Sequence, residues 1–188
     1  MEQCSVAEVQ RLLRRVSAQR AEKAMAYKRL PNQYACLKAY ELLHDMLEEQ
    51  GVISRNEPLV FELSEHGKPH ISRYPDVHFN ISHCKYGIIV AVDTAPVGVD
   101  VERLYLPDDA FLHYTMNEEE IRQIRSAAHP DQAFSLLWTR KEAYVKMKGE
   151  SIGRDIPQIL NGFGRHPYSV TSWVNEEKQY ACTVISMQ

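Results

Sequence analysis

The sequence predicts an α+β fold made of two similar courses of helix and strand, 1–95 and 96–188. Three observations carry that expectation. Helical and strand-like periods both occur on each side of a division near Ala95 to Val97. Val97-Gly98-Val99-Asp100-Val101-Glu102 alternates valine with small or acidic residues, the pattern of a half-buried strand. Trp138, Glu142 and Lys146 recur every four residues and so line one stripe of a helix.

Each element has its own signal. Val6 to Ser17 is helical by period, with Leu12, Leu13 and Val16 on one side. Asn32 to Gln50 is a second helix, entered behind Pro31 and stopped by Gly51. Leu59 to Leu63, Val77 to Ser82 and Gly87 to Asp93 read as strands. Val97 to Arg103 is an acidic strand, with its valines on one face and Asp100 and Glu102 on the other. Asn117, followed by Glu118, Glu119 and Glu120, has the form of a helix N-cap with acids in the first turn. Pro130 and Asp131 open a long helix carrying Trp138 to Lys148, and Gly149 ends it. Tyr168 to Val174 and Tyr180 to Ser186 form a terminal hairpin around Asn175-Glu176-Glu177-Lys178.

Composition narrows the class. The 188 residues suffice for one large domain or two small ones sharing a core. A formal net charge of -3 gives no basic footprint for nucleic acid. No apolar run reaches membrane-spanning length, and Met1-Glu2-Gln3-Cys4 has no leader character, so a cytoplasmic protein without a membrane partner is expected. Cys4, Cys36, Cys84 and Cys182 are scattered and form no C-x-x-C pair, so reduced thiols are expected. The eight histidines show no zinc spacing; His66 and His70 flank a Gly-Lys-Pro turn, and His78 has the opposite strand parity to His83.

If the acidic strand and the long helix pack together, Asp100, Glu102, Glu142 and Lys146 converge. That inventory suits a hard divalent cation holding phosphates. Spacing alone also allows blander readings. Asp100 and Glu102 fit the wet face of an edge strand. Glu142 and Lys146 fit a surface pair at i, i+4 contributing ~0.3–0.5 kcal/mol. Trp138 reads as core, packing the helix to the sheet.

Four elements in order then point to a family: Gly67-Lys68-Pro69, Asn80-Ile81-Ser82-His83, Gly98-Val99-Asp100-Val101-Glu102, and Trp138 through Lys146. Together they resemble the 4'-phosphopantetheinyl transferases, which move phosphopantetheine from coenzyme A onto carrier proteins. Cys84 stands where the family often has serine. The length resembles the larger, surfactin-synthetase-activating type, a pseudo-dimer of two α+β halves with the site between them, and exceeds the short type that assembles as trimers. The resemblance implies Mg²⁺, or Mn²⁺, on Asp100, Glu102 and Glu142, with Glu142 also the base for the carrier serine, directly or through a metal-bound water.

By the same resemblance, Lys146 neutralises or protonates the leaving 3',5'-ADP. Lys68, Ser82 and His83 contact coenzyme A, and Lys141 is either a phosphate contact or structural. Lys28, Arg29 and Lys38 are candidates for gripping the 3'-phosphate, weighed against a solvated helix face. The implied partners are coenzyme A and an apo acyl or peptidyl carrier protein, and the implied state is a monomer. Carrier docking is expected over Tyr105 to Arg125, with Leu106, Phe111, Tyr114, Arg122 and Arg125, or over the loop from Lys148 to Arg154. Two other functions fit the same residues: a metal-dependent phosphohydrolase acting on coenzyme A or nucleotides, and a non-catalytic coenzyme A-binding module.

Overall fold

The computed structural model describes residues 4–153, 155–165 and 167–188 of the chain, so Arg154 of the post-helix loop lies outside the described residues. The architecture is mixed α+β. Helix α1 is Val6–Leu13 and α2 is Ala18–Met25. The helix expected from Val6 to Ser17 stops at Leu13, and Ser17 instead caps α2, its hydroxyl accepting from the Arg20 amide. Helix α3, Leu30–Glu49, takes Pro31 into its first turn, where a missing N–H costs no hydrogen bond. Both short helices pack on α3.

Strand β1 is only Glu62–Leu63, paired with β2, Pro69–His70, across a turn at Gly67. The longer strand expected from Leu59 does not form. The Leu59 amide donates to Tyr40 Oη at 2.7 Å and the Phe61 amide to Gln19 Oε1 at 3.0 Å, so side chains take the place of a partner strand. Strands β3, His78–His83, and β4, Ile88–Asp93, form an antiparallel hairpin.

Strand β5, Val97–Arg103, pairs with β7, Tyr180–Met187, which pairs in turn with β6, Tyr168–Asn175. Helices α4, Asp109–Thr115, and α5, Glu118–Ser126, follow β5. The first of these was not expected; the second starts at the expected Asn117 cap, which forms a capping box with Glu120. Helix α6, Pro130–Lys148, has the expected bounds, and Gly149 ends it in the left-handed conformation.

Helix α6 lies directly on β5 and β7. Gly98 permits this approach: a Cβ there would sit 2.0 Å from the Ala143 carbonyl oxygen and 2.4 Å from the Met147 nitrogen. On its other face the sheet packs Val99, Val101 and Cys182 against Ile89 and Ala91 of β4. The free edge of β5 runs along β3 without backbone pairing. Asn80 Oδ1 accepts from the Val99 amide at 2.9 Å, Ser82 Oγ accepts from the Val101 amide at 3.4 Å, and Lys68 Nζ donates to the Val97 carbonyl at 3.2 Å. Polar side chains thus cover a strand edge that would otherwise be open.

Candidate active site

Gly98, Asp100 and Glu102 share one parity on β5, and that parity faces α6. Thr183, opposite Asp100, has its hydroxyl 2.9 Å from that of Thr139 on α6, which confirms the facing surfaces. Three elements thereby enclose a cleft of about 310 Å³, lined by Ile81, Ser82 and His83 from β3, Asp100, Val101 and Glu102 from β5, and Trp138, Glu142 and Lys146 from α6.

Asp100 is its buried centre. Its Oδ1 accepts from Lys146 Nζ at 2.6 Å and from Ser82 Oγ at 2.7 Å. Lys146 also donates to Ser82 Oγ at 3.2 Å and stands 4.0 Å from Glu142 Oε2. Glu102 Oε1 accepts from the Arg103 amide at 2.8 Å. Burial, then the charge of Asp100, pushes the Glu142 carboxyl above its ordinary range against the pull of Lys146. Burial does the same to Glu102, again aided by Asp100. His83 stands exposed at the end of β3, yet the protein around its ring, then the charge of Lys146, holds its pKa below the usual value.

This donor set fits a hard divalent cation. It is all carboxylate oxygen, and two members carry negative charge that their surroundings leave under-compensated. Lys146 acts as counter-ion at the centre of the group. The three carboxylates are not all within 4.8 Å of one another; among the described residues, the trio that is so gathered is His44, Asp45 and Glu48 on α3. Protein partners engage that trio, since His44 Nε2 lies 3.0 Å from the Glu57 carbonyl and Arg15 lies 3.7 Å from Asp45.

Other expected contacts fall elsewhere. Lys141 is 0% exposed and lies outside the cleft, so the phosphate-contact reading is corrected to the structural one. Its neighbours on α6 point to the cleft while it points into the packing behind. Lys68 donates to the Val97 and Met147 carbonyls, at 3.2 and 3.1 Å, so its ammonium ties β2 to β5 and α6. Lys38 pairs with Glu41 at 2.7 Å, and Lys28 is exposed between α2 and α3; neither lines the cleft. The basic residues beside the Gly-Lys-Pro turn are instead Arg20 and Lys23, which share a pocket of about 150 Å³ with Pro69 and Phe79. The sequence signal for them was the Ser17 cap, which starts a separate helix. Trp138 is only partly buried: it stacks on Phe134 and also lines the cleft. Of the expected docking arginines, Arg122 pairs with Glu119, and Arg125 with Asp109 at 2.9 Å.

Residues 96–185 match the family described as the 4'-phosphopantetheinyl transferase superfamily. A 4'-phosphopantetheinyl transferase of Bacillus subtilis is 31% identical over 155 residues, covering 79% of this chain and 66% of the relative. The 4'-phosphopantetheinyl transferase ffp of Bacillus subtilis is 29% identical over 147 residues, covering 77% and 65%. The 4'-phosphopantetheinyl transferase gsp of Aneurinibacillus migulanus is 37% identical over 110 residues, covering 57% and 44%. The chain thus spans just under two thirds of the first two relatives, and both matched stretches contain more of it than the family's own region. The acidic strand and the Trp138–Lys146 helix, two of the three walls of the cleft, both lie inside the region that matches the 4'-phosphopantetheinyl transferase superfamily.

Proposed function

We propose that the protein transfers 4'-phosphopantetheine from coenzyme A to a serine of an apo acyl or peptidyl carrier protein, releasing 3',5'-ADP. The observation that carries this reading is the meeting of Ser82 and Lys146 on Asp100, with Glu142 and Glu102 beside them in one cleft. In this reading 1–95 and 96–188 are the two halves of a pseudo-dimer with the site at their seam, and the chain works as a cytoplasmic monomer. No helix among the described residues is long and apolar enough to cross a membrane.

Asp100, Glu102 and Glu142 would hold a Mg²⁺, which when bound screens the diphosphate and stabilises its developing charge. Lys146 brings a positive charge to the same place and neutralises the leaving 3',5'-ADP. Glu142, with its raised proton affinity, takes the proton of the attacking serine as the new P–O bond forms and the old one breaks. His83, held neutral near pH 7, donates a hydrogen bond to a phosphate. The exposed apolar side chains Leu106, Phe111 and Tyr114 offer the carrier a surface at the Trp138 end of the cleft.

The test is intact-mass analysis of a panel of apo carriers incubated with coenzyme A and Mg²⁺. A phosphopantetheine adduct is expected, and Glu142→Gln should reduce its rate by roughly 10²-fold or more without changing the circular dichroism spectrum. Hydrolysed coenzyme A with no adduct would instead make the protein a phosphohydrolase. Binding of coenzyme A with neither product would make it a non-catalytic module.

A further inference from the structure

Lys141 spends its charge away from the cleft. Its ammonium is fully buried and donates to four oxygens: Glu120 Oε2 at 2.7 Å, the Thr115 carbonyl at 2.8 Å, the Ile156 carbonyl at 3.1 Å and the Pro157 carbonyl at 3.3 Å. These come from the end of α4, the first turn of α5 and the short 3₁₀ turn Ile156–Gln158. Glu120 Oε2 also accepts from the Asn117 amide at 2.9 Å, and Asn117 Nδ2 donates to the Pro157 carbonyl at 3.3 Å, so the hub is cross-linked.

The hub bears on one end of the cleft. Helix α4 carries Phe111, whose ring meets Trp138 edge-on at 5.8 Å between centroids and Phe134 at 6.5 Å. Trp138 lines the cleft. The opposite end, Ser82, His83 and Lys146, is held by β3, β5 and the last turns of α6, and its bonds run to Asp100 rather than to the hub. The hub end is apolar at its surface, with Leu106 52%, Phe111 37% and Tyr114 58% exposed, as a protein acceptor requires. The other end carries the cationic side chain that phosphates require.

We infer that Lys141 is a positioning residue for the acceptor: by holding α4 and the 3₁₀ turn against Trp138, it sets the affinity for the carrier protein while touching neither substrate. This rests on the transfer reading above. A wall held only by apolar contact would shift with each acceptor; one bonded through three backbone carbonyls has a single position.

The single change Lys141→Met would leave Glu120 buried and unpaired, so the informative variant is Lys141→Met with Glu120→Met. Removing both charges of a buried pair in favour of apolar side chains is commonly tolerated. The carbonyls of Thr115, Ile156 and Pro157 still lose the ammonium that joins them, although Pro157 keeps Asn117 Nδ2 and Ile156 keeps the Ile159 amide. The double variant is expected to raise the KM for the carrier roughly tenfold, leaving the KM for coenzyme A and kcat within about twofold. Hydrogen exchange should quicken in 109–115 and 156–158 and stay unchanged in 97–103 and 130–148. Phe111→Ala, which leaves the hub intact but removes both a docking side chain and the ring contact of α4 to Trp138, should raise the carrier KM even if the double variant fails to fold. Carrier KM at the wild-type value in Phe111→Ala, or in a folded double variant whose 109–115 exchange is also unchanged, overturns the proposal. If wild-type protein shows no transfer, the transfer reading fails instead, and unchanged exchange then sinks the hub's hold on α4 separately.

Discussion

Gly98 decides how closely α6 approaches the acidic strand. An alanine there would place its Cβ 2.0 Å from one backbone atom of α6 and 2.4 Å from another, and backbone cannot swing aside as a side chain can. The helix would have to lift, carrying Glu142 and Lys146 away from Asp100. Gly98→Ala is therefore expected to cost about 3 kcal/mol or more, measured by urea denaturation, with transfer lost alongside. Wild-type stability and turnover in that variant would show that α6 has a second way to seat. Asp100, Glu102, Glu142 and Lys146 were legible in the sequence because a period of two and a spacing of four put each pair on one surface, whereas Ser82 and His83 were singled out only by the resemblance of Asn80-Ile81-Ser82-His83 to a family motif. The places of Lys141 and Lys68 were not legible. A lysine reads the same whether it ends in water or among carbonyls, and the carbonyls here lie 15 and 29 positions away.

At the scale of elements, α3 is anchored to α1 through one buried acid. Glu41 accepts from Arg11 at 2.9 Å, from Arg15 at 2.6 Å and from Lys38 at 2.7 Å. Burial alone would raise its pKa, but the hydrogen bonds from Arg11 and Lys38 outweigh this and bring it from 4.5 down to about 2. A depressed carboxylate stabilises the fold fully above its unfolded pKa and loses that contribution as pH falls through the folded one. The contribution is roughly 2 kcal/mol once screening by solvent at the exposed arginines is allowed for, and it should fade between pH 4.5 and about 2. Melting temperatures of wild type and Glu41→Gln should differ most at pH 7 and converge toward pH 2. Parallel curves would place the acid sensitivity elsewhere. The long elements α6 and β5 were legible to the residue, since strong periods and a proline and glycine bound them. Helix α2 was hidden because AQRAEKAM carries too few apolar residues to show a stripe, and β1 was overread because Leu59 and Phe61 bond to side chains.

The whole molecule is joined along β3 and β5 by side chains bonded to backbone. The mixture of helices and strands was legible, but this seam was not, because no local pattern reports that Asn80 and Ser82 will meet the Val99 and Val101 amides. Asn80→Ala should strand the Val99 amide at a cost of about 1–3 kcal/mol, shifting a single unfolding transition to lower denaturant. Two resolved transitions in wild type would show that the parts fold independently. The pairing of β5 has a further consequence for how the protein comes into being. Its edge partners precede it by 19 positions, its counter-ion Lys146 follows Asp100 by 46, and its strand partner β7 is the last strand of the chain. During synthesis the acidic residues emerge soon after Ser82 but long before Lys146 and β7. A chain interrupted before Tyr180 would contain every motif residue and still have no site.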